Sequence, residues 1–469
     1  MSFLIAVGAL CFLMFVAYRG FSVILFAPVA ALGAVFLTDP AAVPAAFTGL
    51  FMDKMVGFAK LYFPVFLLGA VFGKVIELSG FSKSIVASVI DLVGPKRAML
   101  AIVLVCGVLT YGGVSLFVVV FAAYPFAAEM FRAGNIPKRL IPGTIALGAF
   151  SFTMDSLPFS PQIQNIIPTT YFKTTNGAAP ILGTLGAIFI LVLGLTYLEW
   201  RRRSAAAAGE GYGEGHTNEP PPVDTKDLPP ALIAFLPLIV VFVVNIALGG
   251  FPGLFGGLID RAYGTNYDLT LAMDHAIPNP IAGIKAIWAV EGALIAGIIT
   301  VFIFAFPKLS STFAEGSKAA VGGALLAAMN TASEYGFGAV IAALPGFLVI
   351  KETLRSIPNP LVNEAITVTT LAGITGSASG GMSIALAAMS KDFIAMAEAA
   401  HIPPEVLHRV ASMASGGMDT LPHNGAVITL LAVTGLTHRQ SYKDIFAVTC
   451  LKTLAVFFVI AVYYLTGLV

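Results

Sequence analysis

Apolar runs of close to 20 residues are the feature that most constrains this chain. A helix needs roughly 20 apolar residues to cross the hydrocarbon core of a bilayer, and ten such runs can be read along the sequence. Charged residues make up 11% of the chain, whereas soluble domains carry about 25%. A transmembrane β-barrel would show short alternating segments instead. The sequence therefore predicts an all-α polytopic membrane protein.

Two of the predicted spans, about residues 140–167 and about 406–433, are interrupted by polar residues. The first break is residues 151–161 (SFTMDSLPFSP), and the second break is residues 412–424 (SMASGGMDTLPHN). Glycine and proline disrupt helices, and broken backbone at membrane depth must find other hydrogen-bond partners. Ionisable residues there are a functional-site hypothesis by default. We therefore predict broken helices at mid-membrane.

Two other apolar segments, about residues 98–131 and about 362–399, carry glycine- and serine-rich interruptions. The first tip is residues 112–115, and the second tip is residues 376–383. Basic residues flank both ends of the first segment, and positive charge marks the cytoplasmic side. Because both ends then lie on one side, we interpret each segment as a re-entrant hairpin.

An internal repeat relates the two halves of the chain. Five short matches occur in the same order at offsets of 264 to 268 residues. The matched segments are 72–76 (FGKVI) with 337–341 (FGAVI), 80–81 with 346–347 (GF), 112–115 (GGVS) with 380–383 (GGMS), 136–137 with 402–403 (IP), and 154–158 (MDSLP) with 418–422 (MDTLP). Each half holds five spans and one hairpin, and an odd number of spans gives an inverted-topology repeat. We expect repeats at 1–200 and 231–469, joined by a flexible cytoplasmic linker, residues 201–230.

The distribution of basic residues supports this topology. Of 26 Lys and Arg residues, fifteen fall in the predicted cytoplasmic loops and nine, including Arg409, on the outer side. The other two, Lys74 and Lys452, fall in spans, where we expect their ammonium groups to snorkel. The net charge of +1 gives no basic surface for nucleic acid. The three isolated cysteines predict neither a disulfide framework nor a metal site, and we expect no cofactor.

The tips and breaks supply a candidate site for an anion. Free amides at helix N-termini suit carboxylates, and hydroxyls can orient a hydroxylated solute. Because we expect no Arg or Lys at midplane depth near the breaks, helix ends would neutralise a carboxylate. The candidate substrate-binding residues are Gly112, Gly113, Ser115, Ser151, Thr153, Ser156, Ser377, Ser379, Gly380, Gly381, Ser383, Ser415, Thr420 and Asn424.

Asp155 and Asp419 occupy the same repeat position and are the candidates for carrying a coupled proton or binding Na⁺. The alternative role for both is to cap the half-helix beyond each break. His423 is a second proton candidate because histidine titrates near physiological pH, and its alternative is a packing role. Glu334 is a weaker candidate, deep in a predicted span.

On these residues the chain resembles the gluconate permease (GntP) family of carboxylate:proton symporters, over nearly its whole length. Its order of hairpin and broken helix, twice and inverted, is also similar to the wider ion-transporter superfamily. That resemblance implies a scaffold domain, a moving transport domain that carries the hairpins, often a homodimer, and a place in the bacterial inner membrane. At residues 154–161 and 419–424 the chain looks closer to members linked with short hydroxy acids, such as 3-hydroxybutyrate, than to sugar-acid members.

We therefore expect a proton-coupled importer of a small organic acid anion and no enzymatic activity. The alternatives are a cation/proton antiporter of the same architecture and a Na⁺-coupled carboxylate symporter. An intramembrane hydrolase built from a serine, His423 and Asp419 does not explain why Asp155 repeats Asp419 without a matching histidine.

Overall fold

The computed structural model describes residues 2–19, 21–94, 97–221, 227–252, 254–263, 266–269, 277–280, 284–422 and 424–469. Within these ranges the chain is predominantly helical, as the apolar runs predict. The helices of the first half are α1 (Ser2–Tyr18), α2 (Val23–Thr38), α3 (Val43–Ala45), α4 (Met52–Leu78), α5 (Phe81–Val93), α6 (Ala98–Tyr111), α7 (Leu116–Ala133), α8 (Ile141–Ala149), α9 (Phe152–Asp155), α10 (Ile163–Phe172) and α11 (Pro180–Ala207).

The second half is helical apart from a short region of mixed structure that follows its first helix, α12. Its helices are α12 (Ala231–Gly249), α13 (Leu258–Tyr263), α14 (Lys285–Ala343), α15 (Pro345–Arg355), α16 (Pro360–Thr375), α17 (Ala378–Ala399), α18 (Pro404–Gly416), α19 (Gly425–Thr434) and α20 (His438–Thr466). Two antiparallel pairs of short strands follow α12, namely β1 (Gly250–Phe251) with β2 (Phe255–Gly256) and β3 (Asn266–Leu269) with β4 (Ile277–Pro280).

Five of the described helical segments are long and apolar enough to cross a membrane. They are Pro40–Leu78, Pro180–Ala207, Ala231–Gly249, Lys285–Ala343 and His438–Thr466. Shorter apolar helices accompany them at Ser2–Val16, Val23–Thr38, Ala98–Tyr111 and Gly425–Thr434. These lengths agree with an all-α membrane protein, whereas the inverted repeat stays a prediction.

The helices are interrupted at the tips and breaks. α6 and α7 pack against each other on either side of the first tip, and α16 and α17 do so around the second. In the first break, the single turn of α9 lies between α8 and α10. In the second break, a 3₁₀ turn, Gly417–Thr420, follows α18, and the helical path resumes at Gly425.

The apolar runs at residues 284–306 and about 324–350 predict two spans joined by a loop, and α14 differs from this prediction. The structure has one helical run with a kink at Ala305 (φ −128°, ψ 18°). Pro307 explains the kink, because its ring clashes with the preceding turn and it lacks an N–H. The rings of Phe302 and Phe313 lie 5.0 Å apart, although eleven residues of straight helix span about 16 Å. The chain therefore bends sharply at the kink, and the segment expected to be a loop is helical.

The predicted flexible linker is partly ordered and bound to both halves. Residues 201–207 extend α11. Beyond them, Glu219 pairs with Arg132 and, over 2.7 Å, with Lys138. The Thr217 hydroxyl and the Asn218 amide donate to backbone carbonyls at the end of α19, over 3.0 and 2.9 Å. The polar, proline-rich composition of this segment suggested disorder. Its order could not be predicted from composition, because its partners lie far away in the sequence.

Candidate functional site

The second tip and the second break meet around the carboxyl group of Asp419. The Ala378 amide, at the start of α17, donates to Asp419 Oδ1 over 3.0 Å, and the Gln164 side-chain amide donates to Oδ2 over 2.8 Å. The Asn424 amide makes a longer contact of 3.4 Å with Oδ1 and donates to the Gly376 carbonyl over 2.8 Å. Asp419 therefore joins the second tip, the second break and α10.

The local sequence explains why free donors face Asp419. α16 is capped by Gly376 at φ +67°, a left-handed conformation that glycine adopts without steric cost. Ser377 then caps α17, and its hydroxyl accepts from the Gly380 amide over 3.1 Å. The first amides of a helix have no partner within the helix, and its N-terminus favours negative charge. A carboxylate is thus bound at the start of α17.

The first break is held against the second break through Asp155. The Asp155 carbonyl accepts from Arg409 Nη1 over 3.0 Å and from the Ser412 hydroxyl over 2.8 Å. Its carboxyl accepts from the Ser156 hydroxyl over 2.7 Å. A Cβ built on Gly416 would lie 1.7 Å from Asp155 Oδ2, so the carboxylate occupies space that only glycine leaves free. The repeat-related aspartates therefore lie in one connected region.

Lys452 does not snorkel, contrary to the sequence expectation. It is 1% exposed, and its ammonium lies 3.1 Å from Asp155 Oδ2. It also donates to the carbonyls of Phe150 and Gly416, one from each broken helix. Fourteen residues of α20 lie on either side of it (452 − 438 and 466 − 452), which is about 21 Å of helix and too far for its side chain to reach either end.

Arg409 was expected on the outer side, and it is instead fully buried. Its guanidinium donates to the Ala178 carbonyl over 2.7 Å, to the Asp155 carbonyl and, over 3.1 Å, to Asn165 Oδ1. The expectation that no cation lies near the breaks is therefore wrong. A signal was present in the sequence, because Arg409 lies inside the predicted span 406–433 and was nevertheless counted as a loop residue.

The first tip is surrounded by apolar side chains. A Cβ on Gly112 would meet Leu238 at 2.6 Å, and one on Gly113 would meet Leu294 at 3.2 Å. The tip is joined to the first break, because Gln162 Nε2 donates to the Thr110 carbonyl over 2.7 Å. Ser115 is the last residue of this tip and the N-cap of α7. The two tips therefore differ, and the polar ligand-like surroundings lie at the second one.

Most of the other predicted hydroxyls bond to nearby backbone or to each other. The serine and threonine donors to carbonyls three to five residues earlier are Ser151, Thr153, Ser383, Ser415 and Thr420. Thr420 also contacts the Thr449 hydroxyl at 2.6 Å. Ser379 lies 3.5 Å from the Ser377 hydroxyl and 3.3 Å from Thr331. Gly381 packs on the backbone of Ala372, 2.1 Å from its built Cβ.

Glu334 faces the second tip from α14. It is 3% exposed, and a Cβ on Gly380 would lie 1.6 Å from its Oε2 atom. The Ser377 hydroxyl lies 3.0 Å from the same built position. The weaker sequence candidate is therefore part of the tip. His423 lies outside the described residues.

The buried cations and carboxylates around the two breaks are paired unevenly. Lys452 neutralises Asp155 directly, whereas the nearest partners of Arg409 are uncharged oxygens. Asp419 and Asn424 each keep 8% exposure, against 1% for Asp155. Asp419 is thus less deeply buried than Asp155, and the second tip is more exposed still at Ser377 and Ser379.

Comparisons with known proteins agree with a membrane transporter. No known family profile matches the chain. The chain is 57% identical over 479 residues to the uncharacterized transporter YxjC of Bacillus subtilis (strain 168), and the alignment covers 100% of both chains. It is also similar to the crystal structure of the Alcanivorax borkumensis YdaH transporter, which was reported to reveal an unusual topology. That likeness has a TM-score of 0.50 and 15% identity over 92% of this chain and 90% of the other, so it concerns the fold alone.

Proposed function

Because the chain belongs to the family of the Bacillus subtilis transporter YxjC and is a membrane transporter, we propose that it imports a small organic acid anion by proton symport. The resemblance to the gluconate permease family supports a gluconate-like or short hydroxy acid such as 3-hydroxybutyrate. The same resemblance suggests a homodimer in the bacterial inner membrane. Sodium-coupled carboxylate symport and cation/proton antiport are the competing proposals.

One observation carries the proposal: the start of α17 already binds a carboxylate, that of Asp419. The Ala378 amide donates to it over 3.0 Å, and the aspartate belongs to the second break and is 8% exposed. A substrate carboxylate has the same charge and the same acceptor geometry. It would therefore compete with Asp419 for the donors at this helix N-terminus.

This competition links substrate binding to protonation. When Asp419 is ionised, it satisfies the α17 amide, the Gln164 amide and the Asn424 amide. A substrate carboxylate beside an ionised Asp419 would place two negative charges together in a space with little water, which is costly. A proton on the site removes one charge and frees the amides for the substrate. The hydroxyls of Ser377 and Ser379 are then available to a substrate hydroxyl.

Uptake into proteoliposomes tests the proposal. Labelled 3-hydroxybutyrate and gluconate are offered under an imposed inward proton gradient, an inward sodium gradient or neither. We expect accumulation of an organic acid under the proton gradient. Accumulation that follows only the sodium gradient supports the sodium-coupled alternative. Sodium movement that needs no organic acid would mean an antiporter.

Asp419→Asn probes the carrying observation. We expect this variant to lose proton-driven accumulation, because it removes the carboxylate that exchanges places with the substrate carboxylate at the start of α17. Asp91→Asn is the matched control, since Asp91 is an exposed aspartate of α5, and it should transport like the wild type. Full accumulation by Asp419→Asn would leave Asp419 as a helix cap and no more.

A further inference from the structure

Glu334 occupies an unusual position for a carboxyl group. It lies on α14 and is 3% exposed, and its Oε2 atom rests against the first turn of α17. A Cβ on Gly380 would lie 1.6 Å from that atom. The glycine is therefore what allows the carboxyl group to reach the second tip.

The Oε2 atom of Glu334 has no hydrogen-bond partner among the described residues. Asp155 Oδ2 also lacks a hydrogen-bond partner among the described residues, but the two aspartates of the breaks have a counter-ion or several donors. Asp155 has Ser156 and the Lys452 ammonium, and Asp419 has three amide donors. The Glu334 carboxyl group has one hydroxyl donor, that of Ser377. Burying an ionised carboxylate with a single neutral donor and no counter-ion is so costly that the group takes up a proton instead.

The charged groups around Glu334 favour the same conclusion. Asp419, from the second break, is bound at the start of α17, the same helix start that Glu334 contacts at Gly380. On α14 itself, Tyr335 is engaged with Tyr171 over 2.9 Å and packs on Phe58.

Within the part of the chain described, neither α17 nor α4 brings a cation to the Glu334 carboxyl group, and the buried Lys452 of α20 pairs with Asp155. The titratable residues of α17 begin at Lys391, eleven residues beyond Gly380 (391 − 380), which is about 16 Å of helix. The charged side chains of α4 near this level are exposed. They are Asp53, Lys54 and Lys60.

We propose that Glu334 binds the coupling proton of the transport cycle, an inference that rests on the proposed function. The proton bonds to a Glu334 carboxyl oxygen, and the neutral acid is then stable while the second tip covers it. Asp419 is the anion of the pair, and it keeps the α17 amide until the substrate carboxylate takes its place. When the tip separates from α14, water reaches the carboxyl group and the proton leaves as hydronium. Coupling arises because the second tip can cover Glu334 when its carboxyl group is protonated and cannot cover it when that group is ionised.

This inference changes the roles expected from the sequence. Asp155 is committed to Lys452, and Asp419 is committed to the helix start. The Oε2 atom of Glu334 has no such partner among the described residues. Glu334 lies on α14, which packs along α4 and α12, whereas α17 packs on α16 and α18 as well as on α14. The carboxyl group therefore sits at the boundary between two groups of helices.

The test compares Glu334→Gln with Glu364→Gln in proteoliposomes. Glutamine matches the shape of the protonated acid and cannot release a proton. Glu364 is the matched control, because it is also fully buried and both its carboxyl oxygens lack partners among the described residues. It lies twelve residues before Gly376 (376 − 364), about 18 Å from the tip.

We expect Glu334→Gln to lose at least about tenfold in proton-driven accumulation, a change of 1.4 kcal/mol in coupling, while it keeps exchange of labelled for unlabelled substrate without a gradient. Glu364→Gln should keep both. Glu334→Asp, which retains a carboxyl group, should keep part of the accumulation. Wild-type accumulation by Glu334→Gln overturns the proposal, and so does loss of exchange in both Glu334 variants, since that would indicate a structural role.

Infrared spectroscopy separates this proposal from the proposed function, because it needs no substrate. The spectrum of purified wild type minus that of Glu334→Gln at neutral pH should contain the C=O stretch of a protonated carboxyl group. A difference showing a carboxylate instead overturns the proposal. If the wild type carries no organic acid and the protonated band is present, the proposed function fails and the protonation of Glu334 stands.

Discussion

Lys452 is the residue whose replacement we expect to perturb the site most clearly. Its ammonium lies 3.1 Å from Asp155 Oδ2 and also contacts the Phe150 and Gly416 carbonyls. Lys452→Met keeps an unbranched apolar side chain and removes the charge. Asp155 is then left buried and unpaired, which costs about 3–5 kcal/mol.

The size of the effect can be worked out as a melting temperature. For 469 residues, an unfolding entropy of about 2.1 cal/mol/K per residue gives roughly 1 kcal/mol/K, so Tm should fall by about 3–5 °C. The double variant Asp155→Asn with Lys452→Met no longer strands a charge. It loses the donors to two carbonyls, about 1 kcal/mol each, so its Tm should fall by only about 2 °C.

Thermal unfolding of the purified protein in one fixed detergent measures both values. Lys318→Met is the control, because its pair with Glu315 is exposed (73% and 83% of the side chains), and exposed pairs contribute little. Equal melting temperatures for the single and double variants would refute the reasoning. A wild-type Tm for Lys452→Met would refute it as well.

Two further predictions concern other contacts. Gly416→Ala places a Cβ 1.7 Å from Asp155 Oδ2, so this variant should lower the free energy of unfolding by about 1–3 kcal/mol. In the control Gly322→Ala the added Cβ meets nothing within 4 Å, and stability should not fall. Equal Tm values for the two variants would contradict this prediction. The hydrogen bond from Arg139 lowers the pKa of Glu210. The ion pair therefore stabilises the folded chain above the pKa of an unfolded glutamate, about 4.3. This stabilisation is lost as the pH falls through the lower pKa of Glu210 in the folded chain. Amides near Glu210 should therefore lose hydrogen-exchange protection, corrected for intrinsic rates, at pH well below that value, and Glu210→Gln should lack protection at neutral pH too; unchanged protection in acid would count against the pair.

The sequence predicted the positions of the helix interruptions well, because glycine, proline and short polar residues determine local backbone structure. The second break ends α18 at Gly416, within the predicted segment. The first tip has Gly113 at φ +94°, as a tight turn requires. These features depend on a few adjacent residues and can be read without knowledge of partners.

The buried cations could not be placed by loop counting. Lys452 and Arg409 are stabilised by carbonyls that are free only because distant helices break, at Phe150, Gly416 and Asp155. Hydropathy treats each segment alone and therefore assigns a lone cation to a surface. The position of Lys452 at the centre of its helix was the available clue.

The continuous helix of α14 was missed for a different reason. Residues 307–323 are polar enough to suggest a loop, and several of them are exposed. Helical backbone satisfies its own hydrogen bonds whether or not its side chains face water. Polarity therefore reported exposure here and gave no information on backbone conformation.

The ordered linker limits how the molecule can move. Glu219 pairs with Lys138, at the start of the first broken helix, while Thr217 and Asn218 bind the end of α19 in the second. A connection of this kind restrains the ends of both broken helices at one point. Relative motion of the two halves at this end would require these contacts to be broken. Residues 217–219 thus connect the two broken helices at this end, and the two helices move together there for as long as these contacts hold.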